Sequence, residues 1–122
     1  MSNLEGISER VISVMEGIDG LSDLKVSDLR KIPLGTLRKD TYRLQGVCRF
    51  KKGVWQRLAK GTDMGVSEVR CIDLHPLLLT EQWSRYSDHV LFHEYLHALL
   101  PGEGHGPEFR RRESLWPDSE AI

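Results

Sequence analysis

Between Phe92 and Phe109 the chain reads FHEYLHALLPGEGHGPEF, a stretch that holds three of its five histidines: His93, His97 and His105. On a helix advancing about 100° per residue, His97 lies about 40° round from His93 and one turn along, so both imidazoles can reach one ion from the same side. Glu94 falls at about 100°, on the flank of that face. A carboxylate there is too far round to share the ion easily, yet close enough to touch a water bound to it, which a general base requires. Two ligands hold zinc poorly, and Pro101 ends the helix, so a third must approach from another direction. His105 follows His97 by eight residues, and Gly102, Gly104 and Gly106 allow the chain a steep return. The spacing therefore predicts one zinc ion per chain on His93, His97 and His105, a fourth position open for water, and Glu94 as the base.

A bare HExxH also occurs by chance in unrelated helices, so the rival assignments matter. Glu113 is the serious alternative to His105. It shares a face of the last predicted helix with Phe109 and Trp116, and would serve either as a carboxylate ligand or as the partner that orients a ligand histidine. His89, one turn before His93, reads as a polar neighbour lining the cleft. His75, beside Pro76 at a strand end, reads as structural or as part of the cleft rim.

These residues need elements to position them. Ala98, Leu91, Tyr95, Leu99, Phe92 and Leu96 fill the arc from about 140° to about 300° of the same wheel, a broad apolar face for packing under a sheet. Ser87 or Asp88 is expected to cap this helix, which runs to about Leu100. Tyr95 points about 200° from His93, into the core, and is a poor oxyanion donor. At the N-terminus Leu4, Ile7, Val11, Met15 and Ile18 recur at helical spacing and Asp19-Gly20 closes them, predicting a helix over 3–18. A short helix near Ser27 to Lys31 ends before Pro33. In TYRLQGVCRF, Tyr42, Leu44, Cys48 and Phe50 alternate with Arg43, Gln45 and Arg49, which predicts a half-buried strand with the first set inward. Lys51-Lys52-Gly53 turns it toward VWQRL as a hairpin partner, and EVRCIDLH alternates again until Pro76. TEQW reads as a short turn, and Pro107 opens a last helix, PEFRRRESL. The predicted architecture is a single α+β domain over residues 1–122, with a short three-stranded sheet packed against the N-terminal helix and the helix bearing His93 and His97.

With 39% apolar and 29% charged residues over 122 positions, the composition is that of a globular protein able to bury one modest core. No stretch approaches the roughly 20 apolar residues of a membrane span, and MSNLEGISER lacks the features of a signal peptide. A cytoplasmic monomer with no membrane partner is expected. Two cysteines, Cys48 and Cys71, read as free thiols or as a cross-strand disulfide, and are too few for a zinc knuckle. The net charge of −1 hides eleven bases against three acids between Asp23 and Lys60, a local balance of +8. Such a block is either a solvated strand face or a surface for phosphates, with Tyr42, Phe50 and Trp55 to stack on bases. On the second view DNA is a partner of residues 25–60, and Arg43, Arg49, Lys51, Lys52, Trp55 and Arg57 are the contact candidates.

The run from Arg43 to Trp116 resembles the SprT/Spartan-like zinc metalloproteases. The resemblance is carried by CRFKKG, IDLHPLLL, HEYLH and above all HGPEFRRR, whose HGxxF form looks like the third-ligand motif of that family. It implies a small zincin-like domain, zinc held by His93, His97 and His105, Glu94 as catalytic base, and hydrolysis of protein substrates by an endopeptidase. Some members of the family act near DNA. In contrast to the larger members, no C-terminal zinc ribbon or extended tail is expected, so the core domain itself would have to make any DNA contact. Minimal gluzincin-type peptidases share HEYLH-like helices but place a glutamate where the third histidine stands, the Glu113 alternative again. Two other classes compete. A metal-dependent hydrolase of RNA or another ester is disfavoured by the glutamate inside HExxH, and a catalytically inactive zinc-containing nucleic-acid-binding module is disfavoured by the presence of Glu94. An extended peptide substrate is expected along an exposed sheet edge, the IDLH strand.

Overall fold

A computed structural model describes residues 3–53 and 66–117. Helix α1 spans Leu4–Glu16 and begins where Asn3 accepts the Gly6 N–H at 2.6 Å, satisfying one of the orphan donors of the first turn. Two 3₁₀ turns follow, Asp19–Leu21 and Val26–Lys31. The second replaces the short helix predicted before Pro33. Strand β1 is Leu34–Thr36, β2 is Gly46–Phe50, and β3 is Val69–Leu74. The chain then passes through 3₁₀ turns at Pro76–Leu79 and Glu81–Trp83 into helix α2, Ser84–Leu99, and ends in helix α3, Pro107–Glu113, with proline in its first turn.

The architecture is α+β, as expected, but the sheet is assembled differently. Its order is β1-β3-β2, with β3 parallel to β1 and antiparallel to β2. The IDLH strand, expected at an exposed edge, is therefore the central strand, hydrogen bonded on both sides. The third strand of this sheet is Leu34–Thr36, too short to leave an alternation signal. The expected hairpin partner VWQRL lies outside the described residues. Strand β2 is also shorter than predicted: Tyr42 and Leu44, assigned to the inward face, are 85% and 50% exposed. The chain before Gly46 is held instead by His75, whose Nε2–H donates to the Thr41 carbonyl at 2.7 Å while its Nδ1 accepts the Leu77 N–H at 3.2 Å.

Helix α2 begins earlier than Ser87 because the Glu81–Trp83 turn runs straight into it. Ser87 is buried in the first turn and donates to the Ser84 carbonyl at 2.8 Å. Asp88, the other expected cap, grips Arg10 of α1 through two bonds of 2.6 and 2.8 Å. The core lies between α1, β3 and α2: Ile7, Val11, Ile12, Ile72, Leu74, Leu91, Phe92, Tyr95 and Leu96 are all fully buried. Both cysteines are free and only half-buried, and burial pushes the Cys48 thiol up to about 12. No helix among the described residues is long and apolar enough to cross a membrane.

Tyr95 faces away from the histidines, into the α1–α2 contact, where its hydroxyl meets Ser8 Oγ at 2.7 Å in a buried bond. Removing one partner strands the other in an apolar setting. Tyr95→Phe should therefore lower the free energy of unfolding by about 1–3 kcal/mol and leave metal binding unchanged, measured by denaturant titration and metal analysis. Lost metal binding at full stability would instead place Tyr95 in the site.

Candidate metal centre

Helix α2 supplies His93 and His97 one turn apart on the edge of its buried face. The helix stops at Leu99, with the Leu100 N–H bonded to the Leu96 carbonyl at 2.8 Å. The chain then doubles back through Pro101–Gly106. Among the three glycines of that return, Gly104 takes the left-handed conformation, at φ +57°, where a side chain would be strained. The return sets the third imidazole beside the first two. The three Nε2 atoms form a nearly equilateral triangle, with His93 to His97 at 3.2 Å, His97 to His105 at 3.1 Å, and His105 to His93 at 3.3 Å. Nitrogen ligands about 2.0–2.1 Å from a tetrahedral zinc ion stand roughly 3.3 Å apart, so the donor set fits such an ion. Together these residues could hold a metal ion.

Phe109 of α3 is the floor of the triangle. It is fully buried, stacks on His97 at 4.5 Å between ring centroids with a 25° tilt, and meets the edges of His93 and His105 at 5.0 and 5.3 Å. One apolar ring thus touches all three imidazoles from beneath and fixes their tilt. Helix α3 is secured in turn by Arg112, which donates to both carboxylate oxygens of Asp23 at 2.6 and 2.8 Å, to Glu108 at 2.6 Å and to the Gly20 carbonyl at 3.2 Å. The Arg110 guanidinium bonds the His105 carbonyl at 3.0 Å, tying the third histidine to the same helix.

Glu113, the alternative ligand, stands elsewhere. Its carboxylate accepts the Nδ1–H of His93, on the opposite side of that ring from the triangle. That bond fixes the tautomer in which the Nε2 lone pair faces the other two rings. For His97, burial and the neighbouring imidazoles push the pKa down to about 4, which keeps the ring in the neutral form that metal ligation needs.

Glu94 is 7% exposed and lines the same cleft of about 670 Å³ as the three histidines. Burial raises its pKa to about 6, opposed by His93 and by the backbone N–H of Cys48. Gly46 makes this arrangement possible. A Cβ there would come within 3.1 Å of Val90, 3.2 Å of Glu94 and 3.2 Å of Leu74, so a larger residue would have to push these side chains aside for β2 to lie this close to α2. Sequence reasoning did not single out Gly46; a glycine inside a strand pattern was the available signal.

Lys51 and Lys52 are exposed on the rim of the cleft. Arg43 is exposed further along, its guanidinium 5.6 Å from the Tyr42 ring centroid. Arg49 is committed to Asp73 across the β2–β3 ladder at 3.0 Å. Trp55 and Arg57 lie outside the described residues. His89 is buried in the helix turn before His93, and His75 clamps the loop described above.

The packing under the triangle makes a direct prediction. Phe109→Ala should cost about 3–5 kcal/mol of stability and weaken zinc binding, while Glu113→Gln should spare stability yet lower zinc affinity by about ten- to a hundredfold. Denaturant titration and competition with a chromogenic chelator would separate the two effects.

A family model described as the SprT-like family matches residues 30–115. No curated protein and no solved structure gives a match. The matched stretch takes in the whole sheet, α2, the glycine return and α3, and with them every residue of the triangle, Glu94 and Phe109. As it covers well over half of the 122 residues, the chain belongs to the SprT-like family.

Proposed function

We propose that this protein is a zinc-dependent endopeptidase, with His93, His97 and His105 as the metal ligands and Glu94 as the general base. The observation that carries the reading is the convergence of three Nε2 atoms 3.1–3.3 Å apart in a cleft shared with a buried carboxylate. Zinc bound there supplies a Lewis acid for the scissile carbonyl and lowers the pKa of water. Glu94, buried in the same cleft, takes the proton of the attacking water and delivers it to the departing amine. Burial suits it to both acts, because a carboxylate stripped of solvent is a stronger base than one in water.

Strand β2 supports a peptide as the substrate. The Gln45 carbonyl accepts the His75 N–H and the Lys51 N–H donates to the Glu68 carbonyl, each at 2.8 Å. Backbone groups of the odd-numbered residues are thus spent on β3. The backbone of Cys48 turns the other way, to the edge of β2 that no strand pairs with among the described residues, on the side of Glu94. An extended peptide laid along this edge gains backbone hydrogen bonds and passes its amide over the histidines. A carboxylate base beside the ligands also favours peptide hydrolysis over the ester-hydrolase reading.

Zinc-loaded wild-type protein should cleave an unfolded substrate such as casein. Glu94→Gln should cleave it about 10²- to 10⁴-fold more slowly while retaining one zinc per chain by metal analysis. Equal rates for the two proteins would remove Glu94 from the mechanism. His105→Ala should lose both metal and cleavage.

A further inference from the structure

All four large apolar side chains that stand exposed among the described residues, Tyr42, Leu44, Leu77 and Trp83, line a single hollow of about 430 Å³. That volume is within the range of roughly 300–1,000 Å³ typical of ligand sites. Tyr86 completes the wall, its ring 6.0 Å from that of Trp83. The two sides of the hollow are held together by His75, which bonds Thr41 on one side at 2.7 Å and Leu77 on the other at 3.2 Å. The hollow is therefore preformed, and ordering it costs a ligand little.

Its position says what would occupy it. A second cavity lies between it and the cleft of the histidine triangle, sharing Leu44, Gln45 and Tyr86 with the one and Gly46, His93 and Glu94 with the other. The three hollows follow one another along the chain from Tyr42 to Lys52, on the side of β2 that pairs with no strand among the described residues. From Gly46, beside Glu94, to Leu44 and Tyr42 is two to four residues of chain, and an extended peptide advances about 3.3 Å per residue. Resting on the peptidase reading above, we infer that the Tyr42–Leu77–Trp83 hollow is a specificity subsite that takes a large apolar side chain of an extended peptide, about two to four residues to one side of the cleaved bond. Exposed aromatic and aliphatic surface of this size is otherwise a liability for a protein in water. At the far end of this series the exposed Lys51 and Lys52 favour carboxylates on the other side of that bond.

Two arms test the inference. In the first, zinc-loaded wild type, Trp83→Ala and Leu77→Glu digest a mixture of unfolded peptides, and the cut sites are mapped by mass spectrometry. Wild type should enrich Phe, Leu, Tyr or Trp at one fixed position, and both variants should lose roughly ten- to a hundredfold of that preference. Both positions are exposed, and a thermal melt confirms that the variants fold. In the second arm, zinc-loaded Glu94→Gln binds fluorescein-labelled peptides differing only by Phe against Ser at that position, or at each position in turn if no cuts are seen. Tighter binding of a Phe peptide, abolished by adding Leu77→Glu, supports the subsite even if wild type cleaves nothing, in which case the peptidase reading alone fails. Cleavage without positional enrichment, enrichment unchanged in both variants, or equal binding of Phe and Ser peptides overturns the subsite. So does a dimer in sedimentation that Leu77→Glu dissociates while peptide preference stays intact, since the patch would then serve a second copy of the chain.

Discussion

Three imidazoles whose Nε2 atoms lie 3.1–3.3 Å apart are crowded into one small volume. Rings set this close for a shared cation do not assemble on their own account. The surrounding structure therefore has to hold the triangle in place. Two of its corners come from one helix turn, which costs nothing extra once α2 is formed. The third depends on the glycine return, on the Arg110 bond to the His105 carbonyl, and on Phe109 beneath all three rings. A preorganised donor set of this kind loses little entropy when an ion arrives.

The same constraint explains the close approach of the sheet. Glu94 stands beside the triangle without joining it, and a buried carboxylate is stabilised by a partner that favours its charged form. Strand β2 provides one in the Cys48 backbone, and Gly46, with no side chain to press on Val90, Glu94 and Leu74, lets the strand lie close to the helix. Burial of Glu94 works against folding, since it penalises the ionised carboxylate. The apolar contacts of α2 with α1 and β3 offset it. Stability and chemistry are thus supplied by opposite faces of the same sixteen-residue helix.

Helix α3 links the two halves of the molecule. Its Phe109 supports the rings and its Glu113 fixes the tautomer of His93, while Arg112 on another face reaches back to Asp23 and Gly20 near the end of α1. A seven-residue helix has little stability of its own. Its charged bonds to the N-terminal segment make it a fixed part of the site.

What could be read directly from the residues was local. The proximity of His93 and His97 follows from helical pitch, and the inward direction of Tyr95 from the same wheel. The possibility of a steep return to His105 follows from closely spaced glycines. These features depend on neighbours within about one or two turns, so no knowledge of partners is needed. Strand order was not local in this sense: IDLH became the central strand because Leu34–Thr36 and Gly46–Phe50 both found it, and a three-residue strand carries no periodicity to announce itself. The outward turn of Tyr42 and Leu44 was equally hidden, since alternation is the same whether an apolar side chain meets a core or a groove. Which nitrogen of His93 Glu113 would touch, and which backbone N–H would hold Glu94, were decided only when separate elements packed together, because hydrogen bonds between distant segments depend on ångström-scale placement that residue types alone do not encode.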